Sequence, residues 1–106
     1  MLVVSRFRVP EDEAGAFRTA LEEAARVLAA RPGHLAGRIG RNVDDPELWV
    51  LTTTWEHVGA YRRALSSYDV KLHVVPVLGR ALDEPSAYET VEPGGDLNRA
   101  VSRSLG

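Results

Sequence analysis

The sequence predicts an α+β fold in which helices cover one face of a four-stranded antiparallel sheet. The first observation is the order of apolar patterns along the chain, which reads strand, helix, strand, strand, helix, strand. The second is the run Leu48–Trp55, which is apolar on both faces and therefore requires two covering layers. The third is the length of 106 residues, which is enough for one domain with one core.

The first part of the chain contains one strand and one long helix. Residues 2–9 alternate between two faces, which predicts a strand. Pro10 suits the first turn of a helix, where no N–H is needed. Apolar residues recur at spacings of three and four from Ala14 to Leu28, so the helix has one apolar stripe. Pro32 and the glycine after it end the helix.

The middle of the chain predicts a hairpin followed by a second helix. Leu35–Val43 reads as a strand, and Asn42–Pro46 has the composition of a turn. Leu48–Trp55 follows as the third strand, rich in β-branched and aromatic residues. The next helix runs from near His57 to about Leu65, and its start is weakly specified because histidine is a poor N-cap.

The last part of the chain is less regular. Tyr68–Leu82 is expected to form one or two short helical turns, because Pro76 forbids a single straight helix. Ser86–Glu92 alternates and predicts a fourth strand at a sheet edge. The domain is therefore expected to span residues 1–92. In the C-terminal tail that follows, Leu97–Leu105 is a candidate for a short docking helix.

The order β-α-β-β-α-β is that of the split βαβ, or ferredoxin-like, arrangement, which places both helices on one face of the sheet. The other face nevertheless carries apolar residues, among them Leu2, Val4, Leu48 and Val50. An uncovered apolar face usually marks an interface, so we expect two identical copies to pair through it. The alternative is a monomer whose tail, residues 93–106, covers the sheet.

Composition limits the classes of function. The chain has no cysteine and a net charge of −2 with both signs interspersed. Disulfides and cysteine chemistry are thereby excluded, and a nucleic-acid or membrane surface is not indicated. No run is apolar and long enough for a signal peptide or a membrane helix, so a reducing cytoplasm is the expected location.

His73 is the best single candidate for chemistry. Leu72, Val74 and Val75 flank it in the sequence, and a histidine in apolar surroundings can act as a general base or bind a metal. The alternative is a partly buried histidine that is hydrogen-bonded to the backbone. No pair of histidines has the spacing of a zinc site, so no metal is predicted.

The aromatic residues allow two interpretations. They are typical of a hydrophobic core, but an aromatic-lined cavity between helices and sheet would also suit a flat polycyclic or quinone-like ligand. Ser5 points inward by strand parity, and a buried hydroxyl needs a partner from the backbone or from a ligand. The aromatic candidates for such a cavity are Phe7, Phe17, Trp55, Tyr61 and Tyr68.

Four segments give the chain a resemblance to a known family. They are the opening VVSRFRVP, the helix end RPGHLAGRIGR, the strand-to-helix run WVLTTTWEHVGAYRRALSS and the closing SAYETVEP. Together they cover residues 1–92, which resemble the antibiotic-biosynthesis monooxygenase family of dimeric α+β barrels. The resemblance implies the fold and a homodimer, whereas members of the family differ in substrate.

Two branches of that family imply different chemistry. In the quinone-forming branch, which uses neither metal nor flavin, the enzyme deprotonates a phenolic or anthrone-like substrate and the carbanion passes an electron to O₂. The resemblance implies such parts for five residues, Trp55, Tyr61, Tyr68, Arg38 and His73. In the haem-degrading branch a histidine at the position of His73 ligates iron. Ser5 and Ala64 stand where that branch has asparagine and tryptophan, which argues against haem degradation.

The favoured hypothesis is a cofactor-independent oxygenase that acts on a small aromatic or quinol-type metabolite, with His73 as the catalytic base. A haem-binding protein that uses His73 is one alternative, and a non-enzymatic dimeric module for a small apolar ligand is another. The expected partners are a second copy and a small aromatic ligand. The residues expected to bind the substrate are Ser5, Phe7, Phe17, Arg38, Trp55, Tyr61 and Tyr68.

Overall fold

The computed structural model describes residues 1–97 and confirms the predicted α+β architecture. The strands are β1 (Leu2–Arg8), β2 (His34–Arg41), β3 (Leu48–Trp55) and β4 (Ala87–Tyr88). The helices are α1 (Ala14–Ala29), α2 (Val58–Ser66), α3 (Tyr68–His73) and α4 (Val75–Leu78), and a 3₁₀ turn spans Glu11–Glu13. The strands form one sheet in the order β2-β3-β1-β4, as the ferredoxin-like arrangement requires.

The two central strands position everything else. β1 pairs with β3 along its whole length, from Leu2 opposite Thr54 to Arg8 opposite Leu48. In both strands every second residue is buried under the helices. The buried residues of this core are Val3, Phe7, Val9, Phe17, Leu21, Ala24, Val27, Leu28, Trp49, Leu51, Trp55, Ala60, Ala64, Val70 and Val74.

The other side of the sheet, which we call the outer face, carries the alternate residues of the same strands. Leu2, Val4, Leu48 and Val50 are all partly exposed there. An antiparallel sheet with one wet face normally places polar residues on it, so these four leave an unusually apolar surface. None of the helices in residues 1–97 is long and apolar enough to cross a lipid bilayer.

The second helix begins more firmly than the sequence indicates. The ring of His57 takes the N-cap position, and its Nδ1 accepts a hydrogen bond from the backbone N–H of Ala60 at 3.1 Å. A neutral imidazole can therefore replace the usual hydroxyl or carboxylate acceptor. The expectation that histidine makes a poor cap is wrong at this position.

The fourth strand is shorter than predicted. Only Ala87–Tyr88 pairs with β1, whereas the alternating pattern indicates Ser86–Glu92. Tyr88 pairs with Leu2, the first residue of β1. Among the described residues, the chain beyond Tyr88 therefore has no strand residue left to pair with. Most of the candidate docking helix Leu97–Leu105 lies outside the described residues.

The turn between α1 and β2 depends on one glycine. Gly33 has a φ of 88°, in the left-handed region that residues with a Cβ rarely adopt. A Cβ at this position would also collide with the Cβ of Ala60 in α2. Gly33 therefore allows the chain to turn into the sheet and allows α2 to lie close beneath that turn.

Gly33→Ala is expected to destabilise the fold by about 2–4 kcal/mol, because left-handed strain and the clash with Ala60 both oppose it. Urea unfolding followed by far-ultraviolet circular dichroism measures the change. Gly15→Ala is the matched control, since Gly15 lies in α1 with open space around its Cα. That variant is expected to gain up to about 1 kcal/mol, and an equal loss in both variants would contradict the role of Gly33.

Candidate functional site

The candidate site is a pocket where the second edge of β1 is incompletely paired. After the two residue pairs with β4, only two more backbone bonds hold the preceding segment to β1. The N–H of Val4 donates to the Ser86 carbonyl at 2.7 Å, and the N–H of Leu82 donates to the Arg6 carbonyl at 2.8 Å. Residues 83–85 bulge away between these bonds and leave a space, which we call the β1 pocket.

The β1 pocket has a volume of about 380 Å³, within the range of roughly 300–1,000 Å³ that is typical of small-molecule sites. Three elements contribute to it: the middle of β1, one residue of α2, and the chain from the end of α4 to β4. Its walls are Val4, Ser5, Arg6, Tyr61, Leu78, Gly79, Ala81, Leu82, Asp83, Glu84 and Ser86.

Two hydroxyl groups line the pocket without partners of their own. Ser5 is only 7% exposed, and Tyr61 is partly buried. Within residues 1–97 neither hydroxyl makes a hydrogen bond with another protein group, and neither oxygen is completely buried. Burial raises the pKa of Tyr61, so its phenol stays protonated and able to donate at neutral pH. Both hydroxyls can therefore donate to water or to a bound ligand in the pocket.

An ion pair lies at the outer side of the pocket. The guanidinium of Arg6 binds Glu84 with two hydrogen bonds, Nε to Oε2 at 2.8 Å and NH2 to Oε1 at 2.6 Å. Both side chains are partly exposed, at 43% and 31%. The hydrogen bond and charge of Arg6 lower the pKa of Glu84, and the same contact raises the pKa of Arg6. Both groups are therefore charged at neutral pH.

Behind Tyr61 three rings pack in series. Trp55 is 1% exposed, and its ring centroid lies 5.5 Å from that of Tyr61. Its indole N–H donates to the Thr53 hydroxyl at 2.9 Å. On the other side of Trp55 the ring of His34 packs edge-on at 5.1 Å, and burial lowers the pKa of His34. Trp55 is therefore a fixed, fully buried support for Tyr61 and has no contact with the pocket.

His73 lies in a different place from the one its sequence neighbours indicate. Its side chain is exposed and lines a recess of about 240 Å³ with Arg26, Arg31 and Asp69. The reason is the phase of the short helices, in which Val70 and the residue four positions later face the core. The expectation of apolar surroundings for His73 is therefore corrected, and none of its atoms line the β1 pocket.

The recess beside His73 does not suit a haem. It is smaller than ordinary ligand pockets, and Arg26, Arg31 and Asp69 give it charged walls where a macrocycle needs apolar ones. Residues 1–97 also contain no group of three or more histidine, aspartate or glutamate side chains placed to hold a metal ion. The surroundings of His73 therefore give the haem alternative no support.

The remaining expected site residues are spread over the molecule. Phe7 and Phe17 are fully buried and pack against each other at 5.1 Å between centroids, so they belong to the core. Tyr68 is 76% exposed at the first position of α3. Arg38 lies opposite Thr52 and is exposed on the outer face. Of the expected residues, only Ser5 and Tyr61 meet in the β1 pocket.

Half of the pocket wall has no recognisable signal in the sequence. The segment from Gly79 to Ser86 has no periodic pattern, and its Asp83-Glu84-Pro85 run reads as an ordinary turn. Arg6 and Glu84 are 78 positions apart, so no local spacing connects them. The isolated acidic pair before a proline is the one feature that could have pointed to this wall.

Comparisons with known proteins agree with this fold. The sequence profile of the family described as "Antibiotic biosynthesis monooxygenase" matches residues 1–74. No protein with a curated description matches the sequence. Among solved structures, SnoaB, a cofactor-independent oxygenase from Streptomyces nogalater, superposes with a TM-score of 0.73 at 23% identity, over 87% of this chain and 93% of that one.

Two further structures give the same result. A mutant of SnoaB superposes with a TM-score of 0.66 at 25% identity, over 76% of this chain and 82% of that one. Rv0793 from Mycobacterium tuberculosis superposes with a TM-score of 0.69 at 20% identity, over 89% and 97% of the two chains. Identities this low establish a shared fold, and they leave substrate and site residues open.

His34 is expected to make the stability of the protein fall at acid pH. Its pKa is lowered in the folded state, so the unfolded chain takes up the proton first. The contribution of His34 is therefore complete above its unfolded pKa of about 6.5 and is lost as the pH falls through its folded pKa. Urea unfolding at a series of pH values should show a smaller acid loss for His34→Gln than for the wild type. Equal losses would contradict the prediction.

Proposed function

This chain belongs to the antibiotic biosynthesis monooxygenase family, and from that premise we propose that it is a cofactor-independent monooxygenase. Its proposed substrate is a small aromatic or quinol-type metabolite, bound in the β1 pocket. The observation that carries the proposal is the pair of hydroxyls, Ser5 and Tyr61, which line that pocket and form no hydrogen bond with any residue that the structure describes. The description of the SnoaB structures as a cofactor-independent oxygenase supports the reaction class.

The hydroxyl groups suit the step in which charge develops on the substrate. Removing a proton from an anthrone-like carbon places negative charge on the conjugated carbonyl oxygen. Ser5 and Tyr61 can each donate a hydrogen bond to that oxygen, and donors fixed in advance stabilise such a charge better than water does. The raised pKa of Tyr61 keeps its proton on the phenol while the substrate loses its own.

The rest of the reaction needs only dioxygen. The carbanion passes one electron to O₂, the two radicals combine to a peroxide anion, and this anion takes up a proton from water before it loses H₂O. An anthrone-like CH₂ group thereby becomes a carbonyl, with one oxygen atom retained in the product and the other released in H₂O. The abstracted proton goes to water at the open side of the pocket. The protein supplies position, hydrogen bonds and a partly dry space.

The geometry also supports a rigid wall behind the reacting oxygen. Trp55 packs against Tyr61 and is itself held by Thr53. Tyr61 packs against this held ring, which limits the positions of its hydroxyl, as a preorganised donor requires. Val4, Leu78 and Leu82 add apolar wall around the two donors.

We also propose that two copies associate through the outer face. The apolar residues Leu2, Val4, Leu48 and Val50 form a diagonal band across the two central strands, with Thr54, Thr52, Arg8 and Arg6 opposite them. Burying such a patch against its own copy gives a two-fold interface, the most common kind of oligomer contact. Arg6 lies on the same face, so one wall of the β1 pocket borders the proposed interface.

Tyr61→Phe and Ser5→Ala are each expected to lower the rate of O₂ uptake with an anthrone or hydroquinone substrate by roughly 100- to 1,000-fold, because each removes one donor. An oxygen electrode measures the rate across a panel of such substrates. Binding of the substrate without any O₂ uptake above the blank would instead indicate a non-enzymatic ligand-binding module.

His73→Ala is the variant that compares the two candidate sites. With chemistry in the β1 pocket, this variant keeps the wild-type rate. If His73 were the general base, its loss would cost roughly 10²–10⁴-fold, and Tyr61→Phe would have little effect. That outcome would move the site to the recess beside His73.

Val50→Asp is expected to convert a dimer into single chains, because it places an unpaired carboxylate in the middle of the apolar patch. Sedimentation equilibrium at micromolar concentration measures the mass. Val43→Asp is the matched control, since Val43 is 95% exposed in the hairpin turn and lies outside the patch. A wild-type mass of one chain would contradict the proposed interface.

A further inference from the structure

The charged residues of the β1 pocket are all at least partly exposed, and we call them its rim. They are Arg6, Asp83 and Glu84, and their formal charges sum to −1. The hydroxyls of Ser5 and Tyr61 are uncharged at neutral pH. A ligand in the pocket therefore lies beside a rim with one excess negative charge.

The only cation of this rim is already paired with a carboxylate. Arg6 holds Glu84 through the Nε–NH2 edge of its guanidinium, with contacts of 2.8 Å and 2.6 Å, so its charge is balanced. Paired guanidinium and carboxylate groups of this geometry bind strongly and directionally. An incoming carboxylate would have to compete for the charge of Arg6 with Glu84, which the chain holds in place at a high effective concentration.

Asp83 also disfavours the binding of a carboxylate ligand. Its side chain lines the pocket next to Glu84, and within residues 1–97 its carboxylate has neither a hydrogen bond nor an ion pair. An unneutralised carboxylate at the entrance repels an anionic ligand over several ångströms. Rejection by like charge is a common way to obtain specificity without extra affinity.

We propose that this rim selects substrates by charge, so that the pocket accepts neutral aromatic ligands and rejects those that carry a carboxylate. Glu84 is the specificity-determining residue, because it keeps Arg6 from acting as a carboxylate receptor. The inference rests on the proposed function only in taking the β1 pocket as the substrate site. Beyond that, it states which aromatic compounds the pocket accepts.

The test compares two ligands that differ in a single group, a dihydroxyanthraquinone and its monocarboxylic acid. Isothermal titration calorimetry measures both Kd values with the full-length protein. The wild type is expected to bind the neutral ligand on the order of tenfold more tightly than the acid. Tight and equal binding of both would overturn the inference and leave the pocket assignment intact.

Variants reverse the preference in a defined order. Glu84→Gln frees Arg6 and removes one negative charge, so affinity for the acid should rise on the order of tenfold while affinity for the neutral ligand stays nearly constant. Adding Arg6→Gln to that variant removes the freed cation and should abolish the gain. A gain that survives in the double variant would show that Arg6 is not the receptor.

Two controls separate other causes. Glu23→Gln breaks a bidentate pair of the same kind, Glu23 with Arg26, on α1 and away from the pocket, and it should leave both Kd values unchanged. Sedimentation of Glu84→Gln should give the wild-type mass, since a changed mass would assign the effect to the interface and overturn the inference. If the wild type binds neither ligand, the proposed function fails with it.

Discussion

The incomplete second edge of β1 is the constraint on which the rest of the site depends. On one side this strand is paired with β3 over all seven of its residues. On the other side it meets only the two residues of β4 and two separate backbone bonds, from Val4 to Ser86 and from Leu82 to Arg6. A strand with one full and one partial ladder is rigid and still has room beside it, so Ser5 can be fixed and accessible at once.

The helices complete this arrangement from one side only. Tyr61 reaches the pocket because α2 lies against β3, with Gly33 allowing the close approach at Ala60 and the ring of His57 fixing the first turn. Trp55, which is part of β3, restricts the motion of the Tyr61 ring by packing against it. Backbone turn, helix cap and core packing therefore converge on the position of one phenol group, although none of them contacts a ligand.

Much of the fold can be predicted from the sequence, and little of the site can. Leu48–Trp55 is predicted at its observed bounds because β-branched and aromatic residues at alternating depth leave few other conformations. The expectation of apolar surroundings for His73 is wrong, because apolar neighbours in sequence say nothing about the phase of a helix of six residues. Glu84 escapes prediction because its contact with Arg6 is formed by tertiary structure alone. Periodic sequence patterns predict the helices and strands, whereas this pocket is formed largely by a segment that has no such pattern.

The short β4 has a consequence for how this architecture diverges. The segment from Gly79 to Ser86 forms half of the pocket, yet it contributes no residue to the ladder between β1 and β3. Side chains there that do not pack against the core can be exchanged without disturbing this ladder, so changes in one loop can alter the ligand preference while the sheet persists.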